Sequence, residues 1–176
     1  LIFWSAVLGA GFMGLALATS GAAGGIAGLR LTRDRMIFAL VVALVGTIIP
    51  GTTFYLAISH LPAGVMSINI ATVPLMALPI AVALGQDRPG PTRIVGLLLG
   101  AAGVLLIVLP QGALPRGVDP FWIAVALVGP LCYAVEGNFV ARFGMAGMSP
   151  VQALFLSSVT AAVLGGVLAV ATGQFI

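Results

Sequence analysis

The sequence predicts an all-α integral membrane protein, and three observations carry that prediction. Hydrophobic residues make up 61% of the 176 and charged residues only 6%, whereas a soluble domain carries roughly 25% charged residues. Mean hydropathy is +1.24, so too few charges remain to coat a water-facing surface. The apolar residues also gather into long runs. A membrane-spanning strand would need only about 9–11 residues of alternating polarity, whereas a spanning helix needs about 20 mostly apolar ones.

Six candidate runs emerge, at about residues 1–20, 36–59, 61–84, 94–109, 120–141 and 150–172. The first is apolar from Leu1 onward. The second follows the charged stretch "RLTRDR" and contains "TIIPGTTFY", which joins a kink at Pro50-Gly51 to Thr47, Thr52, Thr53 and Tyr55. Tyr55, five residues before His60, fits an interfacial aromatic belt, and His60 an interfacial position. The third run follows "SHLPAG" and carries Pro74 and Pro79, each of which removes a donor from the helical ladder. The fourth follows "GQDRPGPTR" and has Gly96, Gly100 and Gly103 along one ridge, a packing surface for a neighbouring helix. The fifth follows "PQGALPRGVD" and starts at Asp119-Pro120; the sixth follows "RFGMAGMS" and starts at Ser149-Pro150. Each pair sets a capping side chain before a proline whose missing N–H costs nothing at the first helical position. Gln152, three residues after Ser149, completes a capping box.

Charge excludes several functions and fixes an orientation. All seven basic residues are arginines, scattered singly or in one short cluster, so no basic stripe tracks a phosphate backbone and nucleic acid is not a partner. A single cysteine, Cys132, excludes an internal disulfide, and one histidine without a cysteine pair leaves no metal site. No cofactor is expected. Alternate loops fall on the same side of the bilayer: Arg30, Arg33, Arg35, Arg88, Arg93 and Arg142 on one, Arg116 alone on the other. The arginine-rich loops are therefore cytoplasmic, and His60 faces outward. The chain opens on Leu1, already apolar, with no charged segment or cleavage site of a signal peptide. It is expected to be a piece of a longer protein.

The first run aligns without gaps on the sixth. "LIFWSAVLGAGFMGLALATSG" over "ALFLSSVTAAVLGGVLAVATG" pairs Phe3 with Phe155, Ser5 with Ser157, Val7 with Val159, Ala10 with Ala162, Gly14 with Gly166 and Gly21 with Gly173. Copies five spans apart cross in opposite directions, which defines an inverted repeat of five helices, an arrangement of secondary transporters. The expected whole is ten transmembrane helices in a five-plus-five inverted-repeat fold, of which this chain holds six. Residues 1–115 would be the first repeat without its first helix, and residues 116–176 the first two helices of the second.

"TTFYLAISHLPAGVMSINIATVPLMALPIAVALGQDRPGPTRIVGLLLGAAGVLLIV" resembles the third to fifth helices of an EamA-type repeat: a short outward turn, a helix with a central proline (Pro74), a small polar cytoplasmic turn, and a Gly-rich helix ending in "GVLLIV". "DPFWIAVALVGPLCYAVEGNFVARF" resembles the opening helix of a second repeat. The resemblance covers nearly the whole chain and implies the drug/metabolite transporter superfamily, with ten helices, two inverted repeats, and export or exchange of small metabolites in bacterial inner membranes. Two departures stand out. The acidic residues usual in the turn after the fourth helix are reduced to Asp87, and Glu136 lies outside the shared pattern, so the resemblance assigns it no role.

Glu136 is the polar residue that most needs explaining. It sits in the fifth run, roughly 9 Å from the cytoplasmic end at 1.5 Å per residue. On a helical wheel Trp122, Gly129, Cys132, Tyr133 and Val140 fall within about 60° of it, and Asn138 points away. An intramembrane carboxylate costs roughly 2.5–3.5 kcal/mol on insertion scales. One reading is a cavity-facing group that binds a cation or carries a coupling proton; the other is a glutamate that reaches interfacial water or ties a neighbouring helix. In the third run Asn69, Thr72, Met76 and Pro79 share one side. They line a substrate path, or Asn69 and Thr72 are interhelical glue worth about 0.6 kcal/mol each; for Thr72 glue is the simpler account. The expected cavity-lining set for substrate binding or coupling is Glu136, Tyr133, Asn69, Thr72 and Trp122, with no catalytic residue. The function expected is a secondary transporter, exporting or exchanging a small-molecule substrate by alternating access across the bacterial inner membrane as a multi-pass protein, with the lipid bilayer as partner and a homodimer as an open option. An intramembrane enzyme would need a constellation such as GxSxG or HExxH, which is absent. A purely structural membrane subunit would leave the kinked polar helices unexplained.

Overall fold

The computed structural model describes residues 1–19, 28–108 (side chains as far as 103) and 119–173. Arg116, Gly21 and the expected repeat boundary at 115/116 lie outside the described residues. Those that are described form helices and no strand. Five runs are long and apolar enough to cross a membrane: Ile2–Thr19, Arg33–Ile58, Ala63–Ala83, Pro120–Phe143 and Pro150–Ala171. A further apolar helix, Pro91–Val108, comes between the third and fourth. These are the six runs read from the sequence.

Helix α1 is Ile2–Thr19. The second run is α2 (Arg33–Ala43), a π-helical turn (Leu44–Ile48) and α3 (Ile49–Ile58). Pro50 cannot donate to the carbonyl four residues back, and its ring crowds that carbonyl. The ladder is wider over the turn just before it, a usual response to such a defect. The third run is broken into α4 (Ala63–Ala71) and α5 (Val73–Ala83), with Thr72 between them. The break comes two residues before Pro74, again on the N-terminal side of the residue that causes it. Pro79 lies inside α5 without interrupting it, so only one of the two prolines breaks this helix. Then follow α6 (Pro91–Val108), α7 (Pro120–Phe143) and α8 (Pro150–Ala171).

The caps form as their residues require. Asp119 Oδ1 accepts from the Phe121 N–H at 2.9 Å. Ser149 Oγ accepts from the Gln152 N–H and Gln152 Oε1 accepts from the Ser149 N–H, a complete capping box. Helix α5 ends in a Schellman motif: the Gln86 N–H reaches the Ala81 carbonyl, the Gly85 N–H reaches Val82, and Gly85 takes φ +66°, which glycine adopts without strain.

The chain divides into two compact units, 1–48 with 143–176, and 49–142. In the first, α1 and α2 pack against α8. Its contacts are built on small residues. A Cβ at Gly14 would lie 3.1 Å from the Phe155 ring, and one at Gly166 3.2 Å from the Phe3 ring. A Cβ at Gly9 would meet Ser158 Oγ at 3.5 Å, while Ala6, Ala43 and Ala161 cluster with their side chains buried. Phe3 near the start of α1 meets Gly166 near the end of α8, so the two helices run antiparallel. At the end of this unit the α7–α8 turn holds three residues of positive φ, Gly144, Ala146 and Gly147. Arg35 secures it, its Nε donating to the Ala146 carbonyl at 3.3 Å and its Nη2 to that of Gly147 at 3.4 Å.

The second unit takes in α3 to α6 and almost all of α7. Ala57, Leu61, Met66 and Ala126 form a buried apolar cluster, with Phe54 and Trp122 against it. Pro50 is fully buried, and a Cβ at Gly129 would lie 3.9 Å from its Cβ and from Thr53 Oγ1. Absence of a side chain at Gly129 therefore lets α7 come close to α3.

Candidate functional site

The second unit contains a cavity of about 810 Å³ between α5, the N-terminal half of α6 and the C-terminal half of α7. Ala71, Val73 and Pro74 line it where the α4–α5 break occurs, and Arg93 lines it near the start of α6. Most of the wall is aliphatic or glycine; Tyr133, Asn138 and Arg93 supply its polar side chains. Such a lining, apolar with a few placed polar groups, is the usual make-up of a small-molecule site.

Each polar group is held by its own element. Asn138 is buried, its Nδ2 donating to the Ala77 carbonyl of α5 at 3.0 Å and to the Ala134 carbonyl of α7 at 2.8 Å. It joins two walls of the cavity. Arg93 forms an ion pair with Asp87 across the α5–α6 turn, the acidic residue that the turn retains. Arg142 Nη1 donates to the Leu84 carbonyl at 2.8 Å, one of the orphan acceptors at the end of α5. Tyr133 lines the cavity and is 41% exposed as a whole residue.

The five residues expected to line a cavity are not brought together. Tyr133 lines it. Glu136, half-buried and one turn further along α7, is outside the lining set. At 100° per residue the lining positions Tyr133, Gly137, Ala134 and Asn138 sweep an arc of about 140° in one sense from Tyr133, and Glu136 is about 60° from it in the other. Asn69 is buried above the break, its Nδ2 donating to the Ala126 carbonyl of α7 at 2.6 Å. Thr72 is the break itself, and its Oγ1 donates to the Asn69 carbonyl at 2.6 Å. Trp122 lies at the opposite end of α7 from Arg142, with the His60 ring stacked on it at a centroid distance of 3.6 Å and 8° between planes. His60 Nδ1 is within 2.8 Å of Ser59 Oγ and 3.1 Å of the Leu56 carbonyl.

Four of the lining residues, Asn138, Arg93, Gly96 and Gly100, have other readings in the sequence. Asn138 was set aside because it points away from Glu136, and that is the direction in which the cavity lies. The signal for it was the run of small residues Ala134 and Gly137 on the same face. Arg93 was counted only toward orientation. Gly96 and Gly100 read in the sequence as part of a packing ridge; they line the cavity, and beyond the adjoining residues and backbone of α6 itself no described atom lies within 4 Å of a Cβ built on them or on Gly103. Among the described residues, then, Gly96 and Gly100 border the cavity, and no helix is packed on the ridge at these glycines.

Among the described residues no three His, Cys, Asp or Glu side chains are grouped to hold a metal ion. No curated protein and no solved structure matches the chain. One family model does, over residues 1–109, which is most of the 176 and includes the broken α4–α5 helix and the glycines of α6. The chain is an integral membrane protein that belongs to the EamA-like transporter family.

Proposed function

We propose that the chain is part of a secondary transporter that exports or exchanges small organic metabolites across the bacterial inner membrane by alternating access. The observation that carries this reading is the helix broken at Thr72 beside an apolar cavity of about 810 Å³. Irregular backbone at membrane depth is tolerated where it borders a cavity or is buried in protein, and transporters build their substrate sites from discontinuous helices. In this reading Tyr133, Asn138 and Arg93 contact the substrate. Glu136 carries the coupling proton or selects a cation from the edge of the site. Asn69, Thr72 and Trp122 act from behind the cavity wall.

The complete transporter would have ten helices in two inverted repeats, with residues 1–115 in the first and 116–176 in the second. Reciprocal contacts between α1 and α8 support this. The alignment equates Phe3 with Phe155 and Gly14 with Gly166, and Phe3 packs on Gly166 as Phe155 packs on Gly14. Likewise Gly9 meets Ser158, and the equivalent positions, Ala161 and Ala6, share one buried cluster. Two helices related by a two-fold axis between them would make paired contacts of this kind.

Saturable flux of a small metabolite into proteoliposomes holding the full-length protein is the expected result; a protein that inserts correctly and moves none of a broad metabolite panel would overturn the reading. Glu136→Gln keeps shape and removes charge, so it should abolish proton-coupled or cation-selective flux while insertion is unchanged. Unaltered flux across a pH series would remove Glu136 from the site. Orientation is tested separately. Cysteines at Asp34 and Gln86, with Cys132 removed, should resist an impermeant thiol reagent in intact cells, and labelling from outside would reverse the topology.

A further inference from the structure

Proline at position 130 leaves a debt inside α7. In a regular helix the Ala126 carbonyl would accept the N–H of residue 130, and Pro130 has none. Ala126, Gly129 and Pro130 are all buried, so water does not reach this acceptor freely. An unpaired carbonyl there is costly. The side chain of Asn69 fills the vacancy, its Nδ2 lying 2.6 Å from the Ala126 oxygen while the residue is 7% exposed.

The same residue holds the other irregular helix. The Asn69 main-chain carbonyl accepts from the Thr72 N–H at 3.1 Å and from Thr72 Oγ1 at 2.6 Å. Its backbone thus closes the last turn before the α4–α5 break, and its side chain supplies α7 with the donor missing at the bend. Beyond the break come Val73, Pro74 and Leu78, one wall of the cavity; beyond Pro130 come Tyr133, Ala134 and Asn138, another. Asn138 makes the second tie between these walls, but it adds to a carbonyl, that of Ala77, whose helical donor Ala81 is present. Only the Asn69 bond replaces something the sequence has removed.

We propose that Asn69 is a positioning residue: it stands in for the N–H that Pro130 lacks, and so holds the two proline-weakened helices in register where the cavity closes. The inference rests on helix geometry alone and does not depend on which molecule the cavity carries.

A double-mutant cycle on the full-length protein in detergent tests it. Position 134, buried and in the cavity wall, receives the only cysteine (Ala134→Cys with Cys132→Ser), and its modification by N-ethylmaleimide reports opening of that wall. With Pro130 present, Asn69→Leu orphans a buried carbonyl and should speed labelling about tenfold and lower the melting temperature. In the Pro130→Ala background the helix supplies its own donor, so Asn69→Leu should change both readouts little. Equal effects in the two backgrounds would show that Asn69 serves something other than the proline gap, and would overturn the proposal. Asn69→Ala, which adds no bulk, is read in the same way. Should Asn69→Leu insert only when Pro130 is replaced, the coupling is upheld; failure of both substitutions at position 69 in both backgrounds overturns it.

Discussion

The two compact units use small and helix-breaking residues to opposite ends. Where α1 meets α8, glycine is a socket: Phe3 and Phe155 sit over Gly166 and Gly14. No proline occurs in α1, and the one in α8, Pro150, is its first residue. In the unit of residues 49–142, prolines lie within α3, α5 and α7, asparagines bond carbonyls of other helices, and the glycines of α6 adjoin open space. The first pattern gives close, uniform contact, the main source of association between helices in lipid. The second gives irregular backbone and room, which cost stability and are useful only where something must bind or move. The difference separates a close-packed unit from the one that holds the candidate site, without reference to any ligand.

Substitutions at the glycines give the sharpest test of that contrast. Gly14→Leu and Gly166→Leu should each destabilise by about 3 kcal/mol, the upper range for overpacking. The two losses should match if the reciprocal contacts reflect a repeat. Gly100→Leu should leave the melting temperature nearly unchanged while filling the cavity and blocking flux. Thermal unfolding in detergent beside a flux assay separates these outcomes, and a large loss of stability at Gly100 would erase the distinction between the units.

A smaller effect is expected at Ser157, buried in the first unit, whose Oγ has no hydrogen-bond partner among the described residues. Ser157→Ala should raise stability by about 1 kcal/mol, since it removes an unpaired polar atom from an otherwise apolar contact. A drop instead would mean that the scaffold relies on a polar tie here too. The smallest change is Ala146→Gly. Ala146 has φ +51° between two glycines that also have positive φ, so glycine there relieves strain but gives the unfolded chain more freedom. The net gain should be about 0.5 kcal/mol in unfolding measurements.

Much of the fold could be read in advance because its causes are local. Run length marks the six spans, and the Ser149 and Asp119 caps follow from side chains within three residues of the N–H groups they accept from. The prolines were legible only in part. A proline disturbs the turn before it, which is why the π turn precedes Pro50 and the break precedes Pro74. Which proline breaks a helix depends on partners elsewhere: Pro130 lies in a continuous α7 where Asn69 of α4, 57 residues before Ala126 in the chain, donates to the Ala126 carbonyl. The site was harder for the same reason. A charge such as Glu136 announces itself in an apolar run, whereas a cavity is formed by what is small, and Ala134, Gly137, Gly96 and Gly100 carry no mark of which helix or void they face.

The stack of His60 on Trp122 gives the molecule an optical gauge of its own. The chain has two tryptophans, Trp4 and Trp122. An imidazole in face contact with an indole at 3.6 Å alters the surroundings of its excited state, so the emission of Trp122 should depend on whether the rings touch. With Trp4→Phe, the remaining emission reports Trp122 alone, so any separation of the turn after α3 from the start of α7 would be read as a change in light from an unlabelled protein.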